Sequence, residues 1–356
     1  MLSLAEPTGA FSALEAFLER EGFWDSEGVV ADLYLAYGLS EPLRRLADPP
    51  PPEPCPLPLL ACRIHSLPRA PRSAGTYTIG QWERSWDDEQ YAAAIEATRT
   101  AISRGEVYQV NLVQHLSAPF AGDPMGLVGA LAPLRPLVAS PFEGEGFTIV
   151  SASPELFLAR RGRTLLTAPI KGTRPAGVDI DDAKDAAEHM MIVDLERNDL
   201  ARVCEPGSIR WPELLVQRQL AGVTHLESKI EGRLRSDATL ATILEATFPG
   251  GSITGAPKIA ALDLIAALEP VGRGASMGAL GAVHPNGDFE LALTIRTLAV
   301  SEGRIHLWVG GGIVWDSDPQ AEIEESWVKA RPLLAAIGSP APFLGRPASS
   351  RLPASS

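Results

Sequence analysis

Residues 147–177 read FTIVSASPELFLARRGRTLLTAPIKGTRPAG, and residues 183–199 read AKDAAEHMMIVDLERND. The first stretch holds three short β-prone runs, 147–150, 156–159 and 164–167. A Ser-Pro step and Arg161-Gly162 separate them. Glu155 stands just after Pro154, and Lys171 just before Gly172. That separation lets a hairpin bring both to one end of a sheet. The second stretch predicts a helix with Asp185 and Glu188 three positions apart, hence on one face. Taken singly these are a turn, a solvated lysine and a wet helix face. An acid, an amine and paired carboxylates so close together mark a candidate site.

The chain has 356 residues, 45% of them hydrophobic, enough for a large core. A formal charge of −13 argues against bulk nucleic-acid or anionic-membrane binding. An acidic metabolite would need local Lys, Arg or a metal. Three cysteines (Cys55, Cys62, Cys204) are few and odd in number, which implies reduced thiols in a cytoplasm. The N-terminus carries Glu6, Glu15 and Glu19 without a basic leader, so it does not read as a signal peptide. No apolar run reaches membrane-spanning length.

In chain order, residues 11–20 predict a helix, and 29–39 a strand leading into a turn. The run PPPPEPCPLP (49–58) is an extended connector. Ser85 or Asp87 caps a helix that Gly105 ends, and 107–115 alternates like a strand. Residues 195–204 continue the acidic helix as far as Pro206-Gly207. FPGGSITGAPK (248–258) exposes glycine N–H groups beside a predicted helix over 253–268, with Thr254 near its cap and Pro257 in its first turn. Residues 291–300, containing Arg296, and 305–309 read as a strand pair. Gly310, Gly311 and Gly312 read as a turn before a helix carrying Glu322, Glu325 and Lys329. The tail 339–356 is Pro-, Ala- and Ser-rich and reads as disordered.

SASPELFL, TAPIKGTRPAG and KDAAEHMMIVDLERNDLARV, in this order, resemble the chorismate-utilising enzymes: anthranilate, aminodeoxychorismate, isochorismate and salicylate synthases. The PIKGT form, with Lys171, resembles the large component of the aminodeoxychorismate-forming members; anthranilate-forming members usually carry a small residue there. The resemblance covers about residues 85–337 and fades over 1–80, where the region looks shortened. It implies an α/β (α+β) fold, two large β-sheets packed face to face with helices outside. Residues 1–80 would be woven into the same fold as a catalytic domain over 81–338.

The resemblance also implies a site. Glu155 is the general acid that helps a ring hydroxyl leave, its pKa raised by burial beside another carboxylate. Lys171 is a nucleophile, in a pocket that lowers its pKa. Glu188 and Glu325 hold Mg²⁺ directly, with Asp185 and Glu322 through water. Gln109 sits where isochorismate-forming members place a lysine base, and Gln cannot deprotonate water. Gly251, Ser252 and Thr254 belong to a carboxylate-binding loop. Arg296, Lys329 and the backbone of Gly310, Gly311 and Gly312 bind substrate carboxylates. The implied partners are chorismate, ammonia and a glutamine amidotransferase subunit, since no amidotransferase cysteine motif is present. The implied product is 4-amino-4-deoxychorismate, a precursor of 4-aminobenzoate and folate. Departures occur near Ser276, Met277 and Ala282, where relatives often place an aromatic residue.

Overall fold

The computed structural model describes residues 1–46, 48–67, 75–175, 180, 183–220 and 223–339. The disordered tail expected over 339–356 lies, apart from Ser339, outside them. Two antiparallel sheets organise the described residues. The ten-stranded sheet runs in the order Leu2–Leu4, Leu60–Ser66, Val29–Leu35, Ala279–Val283, Phe289–Leu293, Leu156–Arg161, Thr164–Ala168, Val223–Arg233 and Ile170–Pro175, with Arg210–Leu220 also paired to Val223–Arg233. The eight-stranded sheet runs Gly255–Ala256, Gln109–Gly122, Arg304–Ile313, Thr297–Ser301, Phe147–Ser151 and Phe142–Gly144, with Tyr77–Ile79 and Glu83–Arg84 also on Gln109–Gly122. The N-terminal strands thus pair within the same sheet as the later ones, through the register Leu33↔Gly281.

The two sheets meet through apolar side chains. Tyr34 of one sheet lies with its ring centroid 6.0 Å from Phe142 and 6.5 Å from Phe147 of the other. Long apolar strands such as Gln109–Gly122 are buried along most of their length, because helices cover what the opposing sheet does not. Fully burying one such Leu, Val or Phe is worth about 1.5–3 kcal/mol. The helices begin where the side chains allow. Asp87 and Gln90 form a reciprocal capping box for Asp88–Ser103. Asp318 accepts from the Ala321 N–H ahead of Pro319–Ala336, whose first residue is a proline. No helix among the described residues is long and apolar enough to cross a membrane. The three cysteines are buried and unpaired.

Several boundaries differ from the sequence reading. The run 291–300 is not one strand: Phe289–Leu293 belongs to the ten-stranded sheet and Thr297–Ser301 to the eight-stranded one. The break falls at Arg296, whose φ of 49° no strand accommodates. Gly310–Gly312 is not a turn but the end of the strand Arg304–Ile313. Its glycines permit close backbone approach, since a Cβ at Gly310 would collide with the Leu112 carbonyl. The helix expected over 253–268 starts at Lys258, because Pro257 disfavours a helical conformation at Ala256 and is itself extended. Thr254 is therefore no helix cap; its hydroxyl donates to the Gly250 carbonyl. The acidic helix ends at Ala201, short of Cys204. The Pro-rich connector is no free linker, because Glu53 accepts from the Gly274 N–H and Cys55 is buried.

Gly281 sits mid-sheet, opposite both Leu33 and Leu291, where a Cβ would collide with the Glu290 carbonyl. Gly281→Ala should destabilise the protein by about 1–3 kcal/mol through overpacking. A urea midpoint equal to wild type would show that the sheet yields there freely.

Candidate functional site

The chain crosses between the sheets twice at neighbouring places. It leaves Phe147–Ser151, passes 152–155 and enters Leu156–Arg161; it leaves Phe289–Leu293, passes 294–296 and enters Thr297–Ser301. The crossings are bonded to each other. Leu293 N–H donates to the Glu155 carbonyl at 3.0 Å, and Ala152 N–H donates to the Arg296 carbonyl at 2.9 Å. Glu155 and Arg296 consequently line one cavity of about 360 Å³, a size suited to a small organic ligand. Lys171, Asp185, Glu188, Ser252, Gly310, Gly312, Glu322, Glu325 and Lys329 line it as well.

Glu155 is almost wholly buried. Its carboxylate accepts from the Ser252 hydroxyl at 2.7 Å and, weakly, from the Ile170 N–H at 3.5 Å. Burial pushes its pKa up to about 7, against the opposing pull of Ser252, Ile170, Lys171 and Arg296. The rise comes from burial, as expected from sequence; a neighbouring carboxylate is not among its main causes. Lys171 departs further from expectation. Desolvation pulls its pKa down, but Glu188, 2.8 Å away, together with Glu155 and Glu325, more than reverses this and holds the ammonium form. The expected lowered pKa is absent in this arrangement.

The strand Arg304–Ile313 forms another wall. A Cβ at Gly312 would stand 2.8 Å from Lys171 Nζ and 3.0 Å from Glu188 Oε1, and would collide with the Gln109 amide. Gln109 is fully buried, and neither amide atom has a hydrogen-bond partner among the described residues. Such an orphan costs about 1–3 kcal/mol, and Gln109 is not among the residues that line the cavity. The place of a Gly311 Cβ lies 3.3 Å from Lys329 Nζ and 3.4 Å from Glu322 Oε2. Lys329 also donates to the Gly310 carbonyl at 3.0 Å. Gly251, Thr254 and Gly311 are buried and are not among the residues that line the cavity.

Among the described residues no group of three His, Cys, Asp or Glu side chains is gathered tightly enough to enclose a metal. The donors nevertheless suit a hard divalent cation, being carboxylates from two helices that face one cavity. Burial raises the Glu322 pKa, Ser317 opposes the rise, and the charges of Glu325 and Glu188 add to it. That repulsion is what a bound cation would relieve.

Two residues escaped the sequence reading. His225 lines the cavity with Nδ1 3.0 Å from the Gly172 carbonyl, so Nδ1 carries the proton. Burial lowers its pKa to about 4, which keeps the ring neutral. Glu196 is the second. It is buried beside Gly251, with Cγ 3.4 Å from the place of a Gly251 Cβ, and accepts from Thr167 at 2.7 Å. Burial pushes it up to about 8; Thr167 opposes this, and Glu155 and Asp199 add to it. Asp199 is paired with Lys258 at 2.6 Å. A histidine inside a strand and an acid inside an acidic helix leave no signal of their own. Met277, at one of the departures noted above, lines the cavity, whereas Ser276 donates to the Thr294 carbonyl and Ala282 lies elsewhere.

The Glu196 shift has a sign. Its folded pKa lies above the unfolded value, so the unfolded chain releases the proton first. Stability is therefore lost as pH rises from about 4.5 to about 8. Glu196→Gln keeps an acceptor for Thr167 and removes the charge. It should gain stability relative to wild type across that window, by a few kcal/mol at about 1.4 kcal/mol per unit. Denaturant unfolding at pH 5 and 8.5 measures it, and an unchanged difference between the two pH values would refute the assignment.

The profile of the family described as chorismate binding enzyme matches residues 57–335. Anthranilate synthase component 1 of Streptomyces coelicolor is 38% identical over 272 residues, covering 72% of this chain and 53% of that one. Aminodeoxychorismate synthase component 1 of Klebsiella aerogenes is 38% identical over 283 residues, covering 75% and 62%. The chain thus spans little more than half the length of these relatives. The crystal structure of anthranilate synthase component I from Streptococcus pneumoniae superposes with a TM-score of 0.77 at 25% identity, covering 88% of this chain and 84% of that one.

Proposed function

Since the chain belongs to the chorismate-binding enzyme family, we propose that it aminates chorismate at ring carbon 4, giving 4-amino-4-deoxychorismate, with ammonia supplied by a separate glutamine amidotransferase. The observation that carries this reading is Lys171, a primary amine in the wall of the cavity that Glu155 also lines. Substitution at carbon 4 requires hydroxide to leave, and hydroxide leaves poorly without a proton. Glu155, with its pKa near 7, is held ready to give one. Lys171 attacks carbon 2 as the hydroxyl departs as water; ammonia then forms a bond to carbon 4 and displaces Lys171. The amine must first shed the proton that Glu188 helps it keep. Arg296 and Lys329 bring positive charge to the substrate carboxylates, and Gln109, buried outside the cavity lining, supplies no base for water. Mg²⁺ held by Glu188 and Glu325, with Asp185 and Glu322 farther out, would neutralise a substrate carboxylate.

A second reading is anthranilate synthase component I. An anthranilate synthase stands among the relatives at the same 38% identity, and another is the solved structure described above. These comparisons favour amination at carbon 2 over carbon 4, and Lys171 is the residue that speaks for carbon 4. A catalytically silent chorismate-binding subunit accords less well with an intact set of Glu155, Lys171, Glu188 and Glu325 in one cavity.

Product identification from chorismate, Mg²⁺ and an ammonium salt separates the readings. Aminodeoxychorismate is expected, and anthranilate would establish the second reading. Lys171→Arg keeps the charge but offers no usable nucleophile. It should lose most aminodeoxychorismate synthesis and form no covalent adduct, whereas wild type without ammonia should carry an adduct that peptide mapping places on Lys171. A wild-type rate in Lys171→Arg, with no adduct in either protein, would end the covalent step.

The pH profile tests the acid. Glu155 acts while protonated, so turnover should fall as pH rises through about 7. Ser252 stabilises the carboxylate form and lowers this pKa. Ser252→Ala should therefore move the alkaline limb to higher pH; a limb that stays or moves down would place the titration on another group.

A further inference from the structure

Lys171 and Lys329 each lie on a carboxylate that the proposed function assigns to a cation. Lys171 Nζ is 2.8 Å from Glu188 Oε1, on the helix Ala183–Ala201, and Lys329 Nζ is 2.7 Å from Glu325 Oε1, on the helix Pro319–Ala336. Both pairs border the same cavity, beside the adjacent residues Gly312 and Gly311. The two ammonium groups thus stand where positive charge is needed before any ligand arrives. They are also the two primary amines that the substrate needs, one as nucleophile and one as carboxylate partner. A carboxylate oxygen bonded to an ammonium at 2.7–2.8 Å cannot give the same lone pair to a metal, and a dication beside an ammonium repels it.

We propose that Lys171 and Lys329 act as internal counter-ions for Glu188 and Glu325, which a divalent cation displaces and an anionic substrate then engages, so that cation and substrate each tighten the binding of the other. This rests on the magnesium reading above. A cation on Glu188 and Glu325 would strip both lysines of their carboxylate partners. A dianionic substrate replaces those partners with its own carboxylates. By linkage the gain is reciprocal. Lys329 keeps the Gly310 carbonyl as a second partner at 3.0 Å, so it need only tilt, whereas Lys171 must turn from Glu188 toward the ring it is to attack.

Mn²⁺ serves as the probe, its free concentration read by electron paramagnetic resonance without any assay of turnover. In ammonia-free buffer, saturating chorismate should tighten Mn²⁺ binding to the wild-type protein within the roughly 5- to 150-fold range of ordinary site coupling. Lys171→Met and Lys329→Met keep the apolar stem and remove the competing ammonium. Each should bind Mn²⁺ tighter than wild type without chorismate, and chorismate should then add less. Arg296→Gln removes a positive charge from the same cavity without releasing a ligand carboxylate, so its effect should be clearly smaller. Equal Mn²⁺ affinity in wild type and both lysine variants, or an Arg296→Gln effect as large as theirs, would overturn the proposal while the cation site stands. Should either variant fail to fold, an absent chorismate effect on wild type overturns it equally. Mn²⁺ bound by no protein, with or without chorismate, would remove the magnesium reading and this inference with it.

Discussion

Two hydrogen bonds between chain crossings hold the candidate site together. Glu155 and Arg296 are far apart in sequence, and each lies where the chain leaves one sheet for the other. The bonds Leu293 N–H to Glu155 O and Ala152 N–H to Arg296 O lock the crossings side by side. Backbone that departs from a strand loses its ladder partners and must find others. Here each crossing satisfies the other, and the left-handed φ at Arg296 is the local strain that goes with the turn. An acid and a guanidinium are thereby fixed by sheet backbone instead of by mobile loops, which suits the proposed binding of a small anion at a set distance from a proton donor.

Burial then sets the chemistry. Glu155, Glu196, Asp199, Glu322, Lys171 and Arg296 all lie at least partly away from water, and desolvation is the largest influence on each. Specific partners decide which of them keeps its charge. Ser252 and two cations leave Glu155 near neutrality, so it can both hold and yield a proton. Lys171 has a carboxylate in contact and stays charged. The four carboxyls and Arg296 oppose folding more than they help it, because their desolvation is only partly offset by pairing, and Lys171 is the exception. The surrounding apolar core, continuous between the sheets, tolerates that cost.

The acidic helix was legible because carboxylates three apart fall on one face whatever the tertiary context, and Ala183–Ala201 carries Asp185 and Glu188 into the cavity. The three strands around Glu155 were legible from β-prone runs separated by turn residues. The two-sheet architecture was reached through the family's wording, not through periodicity. What stayed hidden depends on contacts distant in sequence. The break at Arg296 is invisible in an apolar run that reads as one strand, because only the jump between sheets demands it. The three glycines suggest a turn until Leu112 is known to press on Gly310. His225 and Glu196 stand in ordinary strand and helix settings, and only the fold brings one to the cavity and buries the other beside Gly251.

Lys171 shows most clearly where reasoning from residue type runs out. A nucleophilic lysine needs an apolar pocket to weaken its proton, and desolvation here does act in that direction. The carboxylate that reverses the effect is Glu188, a residue read from sequence as belonging to a different task. The two assignments were made on separate stretches, and the fold places them 2.8 Å apart. They are compatible only if Glu188 changes partners during the reaction. An amine permanently freed of its proton would need no such exchange, but it would leave Glu188 as an uncompensated, half-buried charge whenever the cavity held no ligand. The ion pair removes that penalty in the ligand-free protein, and it makes release of the Lys171 amine depend on whatever next claims Glu188.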